Sequence, residues 1–322
     1  MPYNSVISRA DAAALIPEEV SMELLEGVKE QSSVMRLGRR LQNMSRAQRR
    51  MPVMSALATA YFVDGDTGKK QTTEVNWDNK YIDAEELAVI VPIPENVLDD
   101  VDFDVWGEVR PSIEEAFAIA IDAAVLYGTN IPASWTVNLG AAGLAAGILA
   151  AGHQISNAAY TDTYEAILGE TGAGVDGLFM LTEADGYMNT GSIAHVSTRG
   201  RLRNIRDADG NPIFKANTMQ EGTTYALDGT PLLFPMHGGI SGTYWLISGM
   251  WRQLVWAMRT DVTYKILDQA VIQDNTGAIV FNLAQQDMVA LRAVMRIGFA
   301  LPHPISRMDP TAAGYPFASL TA

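Results

Sequence analysis

Arg46-Ala47-Gln48-Arg49-Arg50-Met51-Pro52-Val53-Met54-Ser55-Ala56-Leu57-Ala58-Thr59-Ala60-Tyr61-Phe62-Val63 runs into Asp64-Gly65-Asp66-Thr67-Gly68-Lys69-Lys70 and resumes through Thr73, Val75 and Trp77 to Tyr81. Apolar and polar residues alternate loosely on both sides of an Asp/Gly-rich break. That is the pattern of two antiparallel strands joined by a tight loop. Such a hairpin, with few large apolar side chains and no third strand, is marginal in water on its own. An arm of this length therefore leans on something outside its own domain, which points to assembly rather than catalysis.

Outward from the arm, Leu87–Ile93 reads as a short strand closed by Pro92 and Pro94. Val105 to Leu126 reads as one long helix, with Trp106, Val109, Ile113, Phe117, Ile121 and Val125 at helical spacing. Pro111 is expected to kink it or mark a second start, and Gly128 to cap it. Upstream, residues 16–30 fit a helix opened by Pro17, Glu18 and Glu19. Downstream, residues 158–168 and Thr198–Arg206 fit helices, and Gly177–Thr182 fits a buried strand. Asp207–Pro212 fits a turn. Strands are expected near Pro231–Phe234, Thr243–Ile247 and Leu254–Arg259, and over Val289–Leu301, whose alternation leaves one face buried. Strands and helices mix without βαβ alternation, so the class is α+β.

The composition suits a folded protein: 322 residues, 48% hydrophobic and 19% charged, large enough for a full core. The net charge of −14 argues against a surface that sheathes nucleic acid. The absence of cysteine excludes disulfides, thiolate metal sites and a cysteine nucleophile. The first nine residues lack the apolar core of a secretory signal. The apolar run Leu139–Gly152 is broken by glycines and shorter than a membrane span. The plain expectation is a soluble cytoplasmic chain without membrane contact, in which the Asn43-Met44-Ser45 sequon carries no weight.

No motif carries a reaction. Gly172-Ala173-Gly174-Val175-Asp176-Gly177 matches the dinucleotide pattern, but a helix is expected before it and a strand after it, the reverse of what the chemistry needs. His153, His195, His237 and His303 are dispersed and suit structural roles. Glu18-Glu19 and Glu114-Glu115 point to different helix faces and read as solvated charge. No catalytic, cofactor or metal residue is expected. Two charged segments do stand out. Arg36, Arg39, Arg40, Arg46, Arg49 and Arg50 put +6 on one stretch, and residues 95–122, including Asp99, Asp102, Asp104 and Glu108, put −8 on another. These are candidates for pairing between subunits or segments, as are Lys69 and Lys70 at the arm's tip. Nucleic-acid contact and a solvated face are the alternatives.

The order of these elements resembles the major capsid proteins of tailed bacteriophages, which share the Hong Kong 97-type capsid fold. The likeness is carried by Asp122-Ala123-Ala124-Val125-Leu126-Tyr127-Gly128-Thr129, by Leu202–Phe214 and by the closing Val289–Leu301, and it spans nearly the whole chain. It implies an N-terminal arm (1–45) and an extended hairpin loop (46–82) lying across a neighbouring subunit. It further implies a peripheral domain with a spine helix (83–130 and 278–308), an axial domain (131–277) and a C-terminal tail (309–322). The implied product is an icosahedral shell of hexamers and pentamers around double-stranded DNA, a virion component assembled in the host bacterial cytoplasm. The DNA would be met only by weak, non-specific proximity. The short leader implies a separate scaffolding protein, with a portal and room for a decoration protein. Some relatives join their shells by a lysine–asparagine bond assisted by a glutamate. Here Asp287 and Val294 fall where the asparagine and glutamate are sought, so Lys69 and Lys70 are not expected to crosslink. An encapsulin-like nanocompartment shell is the nearest alternative, and an enzyme with an unrecognised central site the remote one.

Overall fold

The computed structural model describes residues 32–63, 68–70, 72–100, 105–160, 162–169, 176–205, 225–310 and 313–322, with the backbone alone at 98–100, 105–108 and 110. The chain enters at a short helix α1 (Ser33–Leu37) and a two-residue strand β1 (Arg39–Arg40), then forms the hairpin β2 (Gln48–Ala56) and β3 (Asn76–Asp83). β4 (Glu85–Pro94), α2 (Glu95–Asp100) and the long α3 (Val105–Tyr127) follow. Next come α4 (Ala133–Leu139), α5 (Gly143–Ala150), β5 (Gln154–Ser156), α6 (Thr163–Leu168), α7 (Leu178–Ala184), β6 (Gly191–Ala194) and α8 (Val196–Asn204). The chain closes with β7 (Tyr225–Leu227), β8 (Thr230–Leu233), β9 (Tyr244–Gly249), β10 (Val255–Leu267), β11 (Val271–Gln273), β12 (Ile279–Asn282), β13 (Met288–Ala300) and β14 (Phe317–Thr321).

Two larger sheets result, one in the order β1-β10-β13-β4 and one in the order β5-β14-β9-β6-β8-β7. α3 is the wall they share. Ile113, Phe117, Ile121 and Val125 recur on one face and are all buried. They enter one apolar core with Trp256, Met258, Ala293 and Phe299 of the first sheet and Ile193, Ile247 and Phe317 of the second. At about 1.5–3 kcal/mol for each large apolar side chain removed from water, this face is the main term holding the helix. α6, α7 and α8 cover the other face of the six-stranded sheet through Ile167, Leu178, Phe179 and Leu202.

α3 runs through Pro111 as one helix of 23 residues, so Pro111 does not mark a second start. It ends where Gly128 takes φ +69° and donates to Ala124 O at 3.0 Å, with Thr129 reaching back to Ala123 O. The left-handed turn stops the helix as a glycine C-cap does. The apolar stretch 133–150 is two short helices, α4 and α5, parted at Gly140, and not one span-length helix.

Several expectations change. Gly177–Thr182 is not a strand: α7 buries Leu178, Phe179 and Thr182 and exposes Met180, a one-sided spacing that a short apolar run does not distinguish from a buried strand. β10 continues to Leu267, pairing with β13 from Val255↔Ala300 to Leu267↔Ala290. Residues 255–267, placed with 131–277 by the resemblance, thus lie in the sheet of β4 and β13. The segment 309–322 is not a tail, because β14 is buried between β5 and β9. In the arm, pairing stops at Ala56↔Asn76, short of the alternation that reached Tyr61. The expected helix 16–30 and turn 207–212 lie outside the described residues.

Gly143 (φ +61°) sits so close to α3 that an added Cβ would lie 2.4 Å from Val125 O. Gly143→Ala is therefore expected to lower stability by about 1–3 kcal/mol through backbone strain and displacement of α5, read as a fall in the thermal midpoint.

Candidate functional site

The arm is anchored at its root and open beyond it. Ile82 is fully buried with Met44, Val255, Ala257 and Ala300. Trp135 Nε1 donates to Asp83 O at 2.9 Å, and Asn138 Nδ2 to Tyr81 O at 3.0 Å. Past the root, both faces of β2 and β3 meet solvent, and Phe62 (104%), Trp77 (66%) and Tyr61 (50%) are exposed. Thr59 N still donates to Thr73 Oγ1 at 3.1 Å, and Arg307 donates to Ala58 O. Lys69 and Lys70 are exposed.

The arginine cluster is spread along the entry segment. Arg36, Arg39, Arg40, Arg46 and Arg50 are exposed and Arg49 is half-buried. Arg40 stacks over Trp256 at 5.4 Å and bonds Asn43, while Arg49 donates to Gln42 O at 3.0 Å. Among the described residues none of the six forms an ion pair with an acid. Of its proposed partners, Asp102 and Asp104 lie outside the described residues, as do the side chains of Asp99 and Glu108.

Asp122, counted in the acidic segment, plays a different part. It is fully buried on α3 and caps α1 from outside. Ser32 Oγ donates to its Oδ1 at 2.7 Å, Ser33 N to Oδ2 at 3.0 Å and Val34 N to Oδ1 at 3.3 Å, while His237 Nε2 meets Oδ2 at 3.0 Å. A carboxylate here satisfies helix N–H groups that burial would otherwise leave orphaned. One side chain thereby ties together the entry segment, the long helix and the 233–237 loop. Beside it lies an open hollow of about 570 Å³ lined in part by Ser33, Arg36, Glu115 and Met236.

The four histidines are each used locally. His195 caps α8, its Nδ1 accepting from Ser197 N at 3.3 Å. His153 Nε2 lies 3.2 Å from Asp185, which also accepts Tyr315 N at 2.7 Å. His303 Nε2 lies 2.9 Å from Tyr187 Oη, which donates to Asp309 at 3.1 Å, and Asp309 accepts Ala313 N and Gly314 N. Asp185 and Asp309 thus pin the crossing that delivers β14. Burial pushes the Tyr127, Tyr187 and Tyr315 phenols well above their ordinary value. Burial likewise holds the His303 imidazole below its own, against Asp309 and with Lys80 acting in the same direction as burial. Among the described residues no three His, Asp or Glu side chains converge as a metal site. Gly177 opens a helix with another helix, α6, before it; residues 171–175 lie outside the described residues. Among the described residues the dinucleotide reading still lacks its leading strand.

The last surface feature is an apolar groove of about 470 Å³ between α3 and the start of β4, lined chiefly by Leu87, Ile119, Ala120, Ala123 and Trp135. Glu85 and Glu86 stand on its rim, bonded to Ser134 and Arg296. Neither the groove nor the Asp122 junction was visible in the sequence. Ser32-Ser33 ahead of an apolar run was the one available hint of a capped helix start.

Comparison with known proteins gives a consistent picture. The model of the phage capsid family matches residues 12–306. The major capsid protein of Staphylococcus phage 80alpha is 26% identical over 283 residues, covering 87% of this chain and 79% of that protein. A solved structure from Microbacterium phage Oxtober96 is 31% identical, covers 96% of this chain and 93% of its own, and superposes with a TM-score of 0.71. One from Mycobacterium phage Adephagia is 29% identical, covers 98% and 97%, and gives 0.73.

Asp122→Ala removes the acceptor for three buried donors and the partner of His237. At about 1–3 kcal/mol for each buried group left unpaired, a loss of roughly 3 kcal/mol or more is expected in denaturant unfolding. The depressed His303 makes the unfolded chain bind that proton at higher pH than the folded one. Its contribution is intact above about pH 6.5 and is lost as pH falls through the folded value. His303→Gln is expected to flatten that part of the stability–pH curve.

Proposed function

The chain belongs to the phage capsid family, and from that premise we propose that it is the major capsid protein of a tailed phage, assembling as hexamers and pentamers into an icosahedral shell around double-stranded DNA. The observation that carries this reading is a match across 12–306 to a chain whose arm exposes Tyr61, Phe62 and Trp77. Exposed aromatics on an element without its own core are a cost to a monomer and an asset to an assembly.

In this reading residues 46–82 form the loop that lies over a neighbour. Residues 83–130 and 278–308, joined by β10 to β12, form the peripheral body, and the six-stranded sheet with α6 to α8 forms the axial one. The arginines at 36–50 and Lys69 and Lys70, unpaired with acids within the described chain, pair with acids of adjacent copies around 99–108. Such exposed pairs steer and orient, adding about 0–1 kcal/mol each. The −14 balance limits adhesion to packaged DNA. The shell is a structural part of the virion and performs no catalysis. A scaffolding protein and portal act with it during assembly in the host cytoplasm, and a decoration protein has room outside.

Negative-stain electron microscopy of the purified chain, alone and with a co-expressed scaffolding protein, tests this. Six-fold or five-fold rings or closed shells are expected in at least one condition. A monodisperse monomer or dimer in both would overturn the proposal.

A further inference from the structure

We propose that the crossing 302–309, between β13 and β14, is a proton-linked catch for the arm: Arg307 holds the arm to its own chain, and a proton on His303 beside the arm's Lys80 releases it. The device belongs to a single chain and is read on unassembled protein, so it stands or falls apart from the capsid reading.

The crossing meets the arm at two separated places. Arg307 donates to Ala58 O, past the last strand pair Ala56↔Asn76. Lys80 lies nearer the root, in register with Met51, and its ammonium acts on the His303 imidazole. Met51 and Ala58 are seven residues apart, about 24 Å at ~3.4 Å per residue. The crossing therefore follows the arm along much of its paired length.

The crossing is also held in a conformation it would not keep alone. His303 takes φ +46°, although Pro304 after it favours extended backbone. Backbone in that region persists where its surroundings over-determine it. Here Tyr187 Oη donates to Asp309 Oδ2 at 3.1 Å and so accepts from His303 Nε2 at 2.9 Å. Tyr187 and Asp309 are buried, and Asp309 also accepts from Ala313 N and Gly314 N.

An imidazolium at His303 would face Asp309 on the crossing, Asp185 at the end of α7, Lys80 on β3, and the phenols of Tyr187 and Tyr315. Both carboxylates already serve other donors: Asp309 those above, and Asp185 Tyr315 N and His153. Burial opposes the charge, and Lys80 opposes it further. Lys80 pairs with Asp78 of its own strand at 3.7 Å, so that pair travels with the arm. Of the groups around His303, Lys80 is the one that leaves when the arm moves. The repulsion then goes and both attractions stay. Proton uptake and arm release are thereby linked, and each favours the other to the same degree.

Because the chain has no cysteine, two thiols can be placed for spin labels. Ala60→Cys on the arm and Met188→Cys on the body are at exposed positions. Dipolar spectroscopy on dilute, unassembled protein is expected to give one narrow distance at about pH 8. That peak is expected to be lost to a broad distribution at about pH 5, below the ordinary imidazole value. A reference pair on the body, Leu149→Cys with Met188→Cys, keeps its distance at both. Arg307→Ala is expected to lose the narrow arm peak at both pH values and to move the His303 titration, followed by imidazole NMR, to higher pH. His303→Gln and Lys80→Gln are expected to keep the narrow peak at acid pH. Lys80→Gln, at an exposed position, carries the test should His303→Gln fail to fold. A narrow arm distance retained at acid pH without further substitution, or an acid loss that survives Lys80→Gln, would overturn the proposal. A His303 titration unmoved by Arg307→Ala, or moved as far in a Lys80→Gln background, would overturn it as well, since a purely local role predicts either. Loss of the reference distance together with the arm's would show the whole body opening and would also overturn it.

Discussion

The structure depends on α3 being buried along one face by two sheets at once. Ile113, Phe117, Ile121 and Val125 enter a core that also holds Phe299 from the four-stranded sheet and Phe317 from the six-stranded sheet. A helix packed against a single sheet could slide or tilt by local repacking. One wedged between two must carry both with it, since close-packed interiors transmit displacement and do not absorb it. Asp122 adds a directional lock on the same helix by holding α1 and His237. Asp185 and Asp309 do the same for the crossing into β14. These carboxylates are thus spent on satisfying backbone donors at chain crossings.

The arm follows the opposite rule. Its root is pinned by Ile82 and by bonds from Trp135 and Asn138, yet among the described residues no third strand pairs with it beyond the root. Opening energies are lowest where buried apolar contacts are few. A close-packed two-sheet body and an arm held chiefly at its root thus combine, within one chain, a part fixed by its core and a part with few buried contacts.

Much of the fold was legible where a long period repeated. Val105–Tyr127 and Met288–Ala300 declare themselves by spacing, and the Asp/Gly-rich break marks the arm. The short runs were harder. Leu178–Thr182 satisfies a buried strand and a two-turn helix equally, and only packing against the six-stranded sheet decides it. Phe317–Thr321 is five residues following a Gly/Pro-rich stretch, so nothing local shows that it becomes a buried central strand. The junctions were illegible for a further reason. Asp122 sits 90 positions from Ser32 and 115 from His237, and among acids of the same segment no local feature separates the buried one from the exposed.

The arginines illustrate how sequence and structure divide the question. Composition alone shows six cations without an intervening acid, a pattern that suits a solvated face as well as a partner. Among the described residues no acid forms an ion pair with the six arginines, and Asp122 is engaged under α1, Glu86 on Arg296 and Glu85 on Ser134. Arg40 and Arg49 are held by an aromatic ring and a carbonyl. These groups keep their charge and position without neutralising it. Unneutralised charge acts at a distance, whereas apolar surface acts only on contact.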